Sequence, residues 1–409
     1  MATTLSRREI EEREEKRIRK RRRSVLIVMS EIVLCLVLAI TSYGVALLNS
    51  YSYEALDSDI YKETSATEIE RPQEKVTVVP ETSIATHTNE SGEVIATEEV
   101  KIPPEKPRAT GYRNILILGT DARSQESLDK GINTDVMIIA SVNNDTGDIK
   151  LVSIYRDTIM RMEDGSGAKK YNKVNNQFAV SGISDTVSMI NRNLGLDIGE
   201  YVIVNWYGVA TVVNQLGGIE LTIPNEKILT YFNSYLDYTN QATGLWAPEL
   251  TAPGTYLMSG TQVVAFCRIR YGGYNDQGRT QNQREAIGKI FERAKQLLYE
   301  GQINVLLEAA QTGLGNVRTN LTMPDILLMA MELNKYSISA TMGFPQSYTT
   351  GASLSAYHTK YGISSPLVAN NFEEEVRQLH LFLFDDPDYQ CSDFIKTISQ
   401  EMMMDRTGQ

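Results

Sequence analysis

From residue 113 onward, short apolar runs alternate with longer stretches in which hydrophobic positions recur every three or four residues. NILIL (114–118), ending in Gly119, fits a buried strand, and TDVMIIASV (134–142) a second. The turn NNDTGD (143–148) leads into IKLVSIY (149–155), the expected hairpin partner. Helical spacing covers 183–194, and YVIVN (201–205) and IELTI (219–223) flank a helix at 206–216 closed by Gly217-Gly218. A short helix is predicted at 259–266, beginning at Ser259. A long amphipathic helix follows at 280–300, with Ile287, Ile290, Phe291, Ala294 and Leu298 on one face. Helices at 302–312 and 324–335 come next, with Pro324 suited to a first helical position. Strands and helices mixed without strict alternation predict an α/β fold, a central mixed sheet covered by helices on both faces. Residues 346–409 carry no pattern that assigns them; they are polar and tyrosine-containing and run to Met402-Met403-Met404.

Ahead of this body the pattern changes twice. Residues 24–48 (SVLIVMSEIVLCLVLAITSYGVALL) are apolar except for Glu31, and a membrane-spanning helix needs about 20 such residues. KRIRKRRR (16–23) precedes the run and nothing comparable follows, so the positive-inside rule places residues 1–23 in the cytoplasm and the rest outside the cell membrane. The run is too long for a cleaved signal and lacks a small-x-small cleavage site. Glu31 reads as a charge tolerated near one end or at an interface. Residues 49–110, rich in Thr, Glu and Ser with Pro72, Pro80, Pro103, Pro104 and Pro107, read as an extracytoplasmic stalk, within which VTVVP (76–80) has strand composition. The expected order is therefore a basic arm (1–23), a single transmembrane helix (24–48), a stalk (49–110), a folded body (111–345) and a C-terminal extension (346–409).

Charge narrows the function classes. Formal net charge is −11, yet residues 1–23 hold ten Lys/Arg against five Glu, so the remainder is acidic. An acidic body argues against a nucleic-acid binder, which would need a basic face, but leaves room for a local basic pocket. Three cysteines, Cys35, Cys267 and Cys391, make no disulfide framework; Cys267 and Cys391 can pair only if the fold brings them together. Three histidines, His87, His358 and His380, make a zinc site or a Ser-His pair a poor reading.

Four places put charge at strand ends or turns. GTDAR (119–123) follows the first strand and sets Asp121 on a turn; NTD (133–135) sets Asp135 at the start of the next. Two carboxylates at one end of adjacent strands make a hard-oxygen site of the kind magnesium takes, although each alone also suits a cap or turn. In SIYRDT (153–158), Arg156 ends an apolar strand and calls for a partner, either Asp157 or another anion. The densest is FCRIRYGGYNDQGRTQNQRE (266–285). Arg268 and Arg270 alternate with Cys267 and Ile269 as on a strand, where they share a face. A glycine loop follows, then Arg279 at a helix start with Gln283 one turn on. Guanidinium groups grip phosphate oxygens bidentately, so Arg156, Arg268, Arg270 and Arg279 are candidates to surround a diphosphate.

These blocks resemble the LytR-CpsA-Psr family of Gram-positive cell-envelope enzymes. NILILGTDAR, NTDVMIIASV, DIKLVSIYRDT, YNKVN (171–175), LGGIELTIP (216–224), MSG (258–260) before QVVAFCRIRY, and DQGRTQNQRE occur in the family's order over about residues 113–300. The resemblance implies an α/β/α sandwich with an apolar lipid tunnel. It implies a phosphotransferase that moves a glycopolymer, such as teichoic acid or capsule, from an undecaprenyl (polyprenyl) pyrophosphate carrier to a muramic acid hydroxyl of peptidoglycan. Carried over by motif, Asp121 and Asp135 bind Mg²⁺ or Mn²⁺. Arg156, Arg268, Arg270, Arg279 and Gln283 hold the pyrophosphate. Asp276, in D-x-G-R, neighbours the site, and either it or Asp121 accepts the hydroxyl proton, with Arg156 steadying the transferred phosphate. Three positions depart from the family pattern: Asn133 and Asn282 stand where arginine is usual, and Tyr155 where proline is. Two rival readings keep the lipid site: a polyprenyl-pyrophosphate hydrolase with water as acceptor, and a membrane-tethered lipid-binding or regulatory module without turnover.

Overall fold

The computed structural model describes residues 52–53, 82–88, 94–101, 111–120, 133–162, 170–270, 276–351 and 354–407. The expected basic arm, the spanning segment 24–48, VTVVP (76–80) and Asp121 lie outside the described residues. Among the described residues no helix is long and apolar enough to cross a membrane.

Seven strands form the central sheet: β1 (Ser52–Tyr53), β2 (Tyr112–Thr120), β3 (Thr134–Asn143), β4 (Asp148–Ile154), β5 (Glu200–Asn205), β6 (Val317–Thr319) and β7 (Ser337–Phe344), in the order β1-β6-β5-β2-β3-β4-β7. The sheet is mixed: β2 pairs antiparallel with β3, β3 with β4 and β5 with β6, whereas β1/β6, β2/β5 and β4/β7 are parallel. The expected hairpin is therefore present. The stretch expected as stalk contributes the edge strand β1, which pairs with Arg318 and Thr319, and a separate hairpin of Thr82–Thr88 with Val94–Lys101.

Strand alternation sets the layers, because successive side chains point to opposite faces. Leu116, Leu118, Met137, Ile139, Val152 and Ile154 join one core cluster; Ile115, Val136, Ile138, Ala140 and Leu151 join the other. The first face packs against helices Asn175–Ser181 and Ile183–Leu194 and against the chain beyond residue 350. There Tyr357, Phe372, Val376, Leu379, Ile395 and Ile398 are fully buried, so the unassigned C-terminal stretch completes a layer of the fold. Its helices, Phe372–Phe384 and Asp393–Thr407, carry the apolar spacing between many charged residues. The second face packs against helices Trp206–Gln215, Gly260–Arg268 and Asp276–Tyr299. The expected α/β/α layering is observed.

Three predicted elements differ. Arg268 and Arg270 do not lie on a strand. A capping box between Ser259 and Gln262 starts a helix that runs through Arg268, Ile269 leaves it with extended backbone, and Arg270 follows outside. The run VVAFC buries every residue in the helix, and an apolar run of that length fits either element until packing chooses. The long helix begins at Asp276, not at residue 280, and its apolar stripe Ile287, Ile290, Phe291 is only half-buried. The deepest part of that helix is its polar first half: Arg279, Thr280, Asn282, Gln283 and Arg284 are buried. The helix expected at 324–335 ends at Met331 and is followed by a 3-10 turn, and Pro324 sits one place after its first residue, behind the Thr322 cap.

Candidate active site

Strands β2, β4, β5 and β7 run in one direction, so their carboxyl ends and the start of β3 share a sheet edge, where open α/β sheets place ligands. The β3/β4 register pairs Ile138 with Ser153 and Ile139 with Val152. Carried past the last pair, the same register sets Asp135 opposite Arg156, and Arg156 Nη1 donates to Asp135 Oδ1 at 2.6 Å. Thr120, the residue before Asp121, pairs with Thr134 at this edge. On β5, Asn205 caps the following helix by accepting from the Gly208 amide, which sets Trp206 over the edge.

Arg156, Arg268, Arg270, Arg279 and Gln283 line one cavity of about 190 Å³, together with Asp135, Trp206, Tyr235 and Cys267. Five side chains named from motifs as the diphosphate grip thus converge with the described acidic one. Arg270 Nη2 stands 3.6 Å from Asp135 Oδ1, and Arg270 Nε 3.8 Å from Asp276 Oδ1. Arg279 Nη2 is 3.2 Å from the same Asp276 oxygen. Asp157 faces Lys173 Nζ at 2.7 Å and Arg156 Nε at 3.7 Å, so both readings of Arg156 meet in one network. Trp206, Tyr235 and Cys267 have no signature of their own in the sequence, although Trp206 directly follows a strand that ends at this edge.

Electrostatics here are dominated by burial. Burial opposes the charge of Asp135, but Arg279 and Arg156, then Arg270, hold its carboxyl below the ordinary carboxylate range. Burial also works against Arg156, and Asp135 and Asp157 more than compensate, raising it. Arg279 is only 2% exposed. Burial pulls its guanidinium down to about 10, with Asp276 opposing and Arg270 adding repulsion. Its Nε and Nη2 are buried without a hydrogen-bond partner, as are Arg156 Nε and Gln283 Oε1. Arg156, Arg268, Arg270 and Arg279 set against Asp135 and Asp276 leave two positive charges over, and unsatisfied buried donors of this kind are costly without an anion. Cys267 is no nucleophile: burial raises its thiol to about 12.

The departures from the family pattern are accounted for locally. Asn282 is buried and donates to the Phe266 carbonyl at 3.1 Å, tying the long helix to the preceding one. Tyr155 packs edge-on against Tyr348, with ring centroids 5.8 Å apart. Asn133 is exposed. Cys267 and Cys391 are both buried and unpaired.

For a divalent cation, the donor chemistry fits in type: Asp135 is an oxygen ligand kept ionised beside a basic pocket. Among the described residues no group of three His, Cys, Asp or Glu side chains gathers, so a fuller site would need Asp121.

The LytR_cpsA_psr family model matches residues 73–371. The chain belongs to the LytR_cpsA_psr family. Among its curated members, the polyisoprenyl-teichoic acid–peptidoglycan teichoic acid transferase TagU of Enterococcus faecalis is 28% identical over 220 residues, covering 54% of this chain and 65% of the relative. The biofilm regulatory protein A of Streptococcus mutans is also 28% identical, over 242 residues, covering 55% and 54%. The chain thus spans less than two thirds of either relative's length. Among solved structures, a protein of Streptococcus agalactiae superposes with a TM-score of 0.53 at 20% identity, covering 69% of this chain and 90% of that one. TagT bound to LI-WTA gives 0.50 at 19% identity, covering 68% and 92%. These likenesses establish that the LytR_cpsA_psr member has the fold of those proteins.

Proposed function

We propose that this protein transfers a glycopolymer from a polyprenyl pyrophosphate carrier to a hydroxyl of peptidoglycan, forming a phosphodiester at the outer face of the cell membrane. The observation that carries the reading is Arg279: a fully buried guanidinium whose Nε and Nη2 make no hydrogen bond, in a cavity shared with three further arginines and one ionised carboxylate. A diphosphate supplies the missing acceptors and the two missing negative charges together. Burial makes each such contact stronger than it would be in water.

The carrier's chain has a place to go. A second cavity, of about 140 Å³, is lined by Val204, Gly208, Val209, Val212, Ile290, Gly313 and Val317. Gln283 and Ile290, seven residues apart on the same helix, line the charged and the apolar cavity respectively, a separation of about 10 Å. The apolar lining of this second cavity suits a polyprenyl tail, and the transferase name of the E. faecalis relative agrees with such a substrate.

In the reaction, the acceptor hydroxyl oxygen bonds to the sugar-bearing phosphorus. The bond from that phosphorus to the bridging oxygen breaks, and polyprenyl phosphate leaves with the bond's electrons. Arg156, Arg270 and Arg279 hold the charge that gathers on the bridging and terminal oxygens, the main task in phosphoryl transfer. Asp276, ion-paired to Arg279 and Arg270, accepts the hydroxyl proton. Asp135 with Asp121 would hold Mg²⁺ or Mn²⁺, which when bound polarises phosphate oxygens. Residues 24–48 anchor the chain in the membrane.

The test is transfer of a labelled glycan from its polyprenyl pyrophosphate carrier to purified peptidoglycan by the full chain in detergent with Mg²⁺. Label on peptidoglycan, lost in Arg279→Met and Arg156→Ala, is the expected result. Release of label that does not depend on peptidoglycan would replace the transferase by a hydrolase, and tight lipid binding without product would leave a binding module.

A further inference from the structure

The candidate site is built in two halves. Asp135 and Arg156 stand on the sheet edge, and Asp276, Arg279 and Gln283 on the first turns of the long helix Asp276–Tyr299. Arg270 spans them by charge, 3.6 Å from Asp135 and 3.8 Å from Asp276. Asn282 and Gln283 donate to the Phe266 and Cys267 carbonyls at 3.1 and 3.2 Å, which ties this helix to the preceding one and not to the sheet. Chemistry between groups on separate elements depends on their spacing, and a misplacement of about 1 Å can cost about 100-fold in rate.

Tyr155 supplies a tie to the sheet. It directly precedes Arg156 and is buried, and its backbone is fixed on both sides: its amide donates to the Phe344 carbonyl at 3.0 Å, and its carbonyl accepts from the Thr158 amide at 2.9 Å. The ring lies edge-on to Tyr348, and the hydroxyl rests over Gly343 of β7, where a Cβ would stand 2.0 Å from the oxygen. Only glycine leaves that place open. There the hydroxyl is hydrogen-bonded to the side chain of Gln277, the neighbour of Asp276. Arg284, seven residues further along the helix and so on the same face, also acts on this phenol; it is buried, and its Nε and Nη1 make no hydrogen bond.

We infer that the Tyr155 hydroxyl is a positioning group for the transfer step: by holding Gln277 it sets Asp276 and Arg279, on the helix, against Arg156 and Asp135, on the sheet. A neutral bond fixes this spacing without changing the charge of the cavity. Arginine side chains are long and follow a bound diphosphate, so affinity for the carrier tolerates a small shift of the helix. Asp276 must meet the acceptor proton at hydrogen-bond distance through a short side chain, and the rate does not tolerate that shift. Proline, usual in the family at position 155, carries no hydroxyl, so the tie belongs to this chain and not to the motif. The inference rests on the lipid-diphosphate reading above.

The experiment measures release of polyprenyl phosphate from a glycan-bearing polyprenyl pyrophosphate by the full chain in detergent, with peptidoglycan and Mg²⁺, alongside affinity for that lipid. Wild type, Tyr155→Phe, Gln277→Leu and the double variant are compared. Tyr155→Phe keeps the ring against Tyr348 and loses only the hydroxyl. It should lower turnover at saturating lipid about tenfold, the scale of one hydrogen bond, with affinity changed less than about twofold and the thermal midpoint unchanged. Gln277→Leu should lower turnover as well, and the double variant should fall no further than Tyr155→Phe alone, because both act through one bond. Unchanged turnover in Tyr155→Phe, a loss matched by weaker lipid binding, or losses that multiply in the double variant overturn the positioning role and leave the diphosphate site in place. A wild type that binds no lipid pyrophosphate, or binds it and releases nothing, overturns the reading of the site and the inference with it. If Tyr155→Phe melts lower, Gln277→Leu, altered at an exposed side chain, takes its place under the same criteria.

Discussion

Asp135 accepts from Arg156 at 2.6 Å across a strand pair that has already run out of backbone ladder bonds. Side chains take over where the sheet stops, and the same carboxylate oxygen also faces Arg270 from a different part of the chain. One acid thus joins two arginines that lie more than a hundred residues apart in sequence, and its loss would release both.

Asp135→Asn should therefore lower transfer at saturating Mg²⁺ by more than tenfold and destabilise the fold by on the order of 1 kcal/mol, the scale for a part-exposed pair. Transfer assays and urea unfolding check the two effects. Equal activity in Asp135→Asn would remove this residue from the site.

Arg279→Met should separate stability from function. A buried guanidinium that makes no hydrogen bond through Nε or Nη2, in a cavity with two positive charges in excess, is replaced by an apolar side chain of similar length, and Asp276 keeps Arg270 as its partner, so stability should stay level or rise by about 1–3 kcal/mol. Transfer should fall about 100-fold or more. Urea midpoints and initial rates, measured on the same preparation, provide the test; a large loss of stability would mean that Arg279 serves the fold.

The two described thiols predict a pH dependence. Burial raises Cys267 to about 12 and Cys391 to about 11, from an ordinary value of 9.0. A group whose folded value is raised contributes stability that is complete below its unfolded value and is lost as pH rises towards the folded one. Native protein should thus resist alkylation by iodoacetamide at pH 8, and stability should decline from about pH 9 upward. The Cys391→Ala variant should decline less over that range in urea unfolding. Rapid native alkylation at pH 8 would contradict the burial of these thiols.

The chain beyond residue 350 should prove inseparable from the body. Ile395 is fully buried in the cluster that also holds Leu116 and Val152 of the sheet. Ile395→Ala should cost about 2–5 kcal/mol, and truncation after residue 345 should leave protein that binds hydrophobic dyes and lacks a cooperative melt. A cooperative melt in the truncated chain would make this stretch an appendage.

Much of the body was legible in the order of its residues, for physical reasons that are local. The strands at 114–118, 134–142 and 201–205 and the helices at 183–194 and 206–216 follow from apolar periodicity and from turn and cap residues, all of which act within a few positions. The ordered blocks from NILILGTDAR to DQGRTQNQRE likewise marked Asp135, Arg156, Arg270, Arg279 and Gln283 before any of them could be placed in space. Tertiary packing decided the rest. The helix predicted at 259–266 runs on through Cys267 and Arg268, instead of giving way to a strand, because the second face of the sheet needed an apolar helix there. The polar start of the long helix is buried, and its apolar stripe half-exposed, because an arginine pocket lies beneath the former. Trp206 and Tyr235 became site residues only when the two helices that carry them were set against the arginines of other segments. No local pattern encodes that contact, which exists only between parts of the chain that the fold brings together.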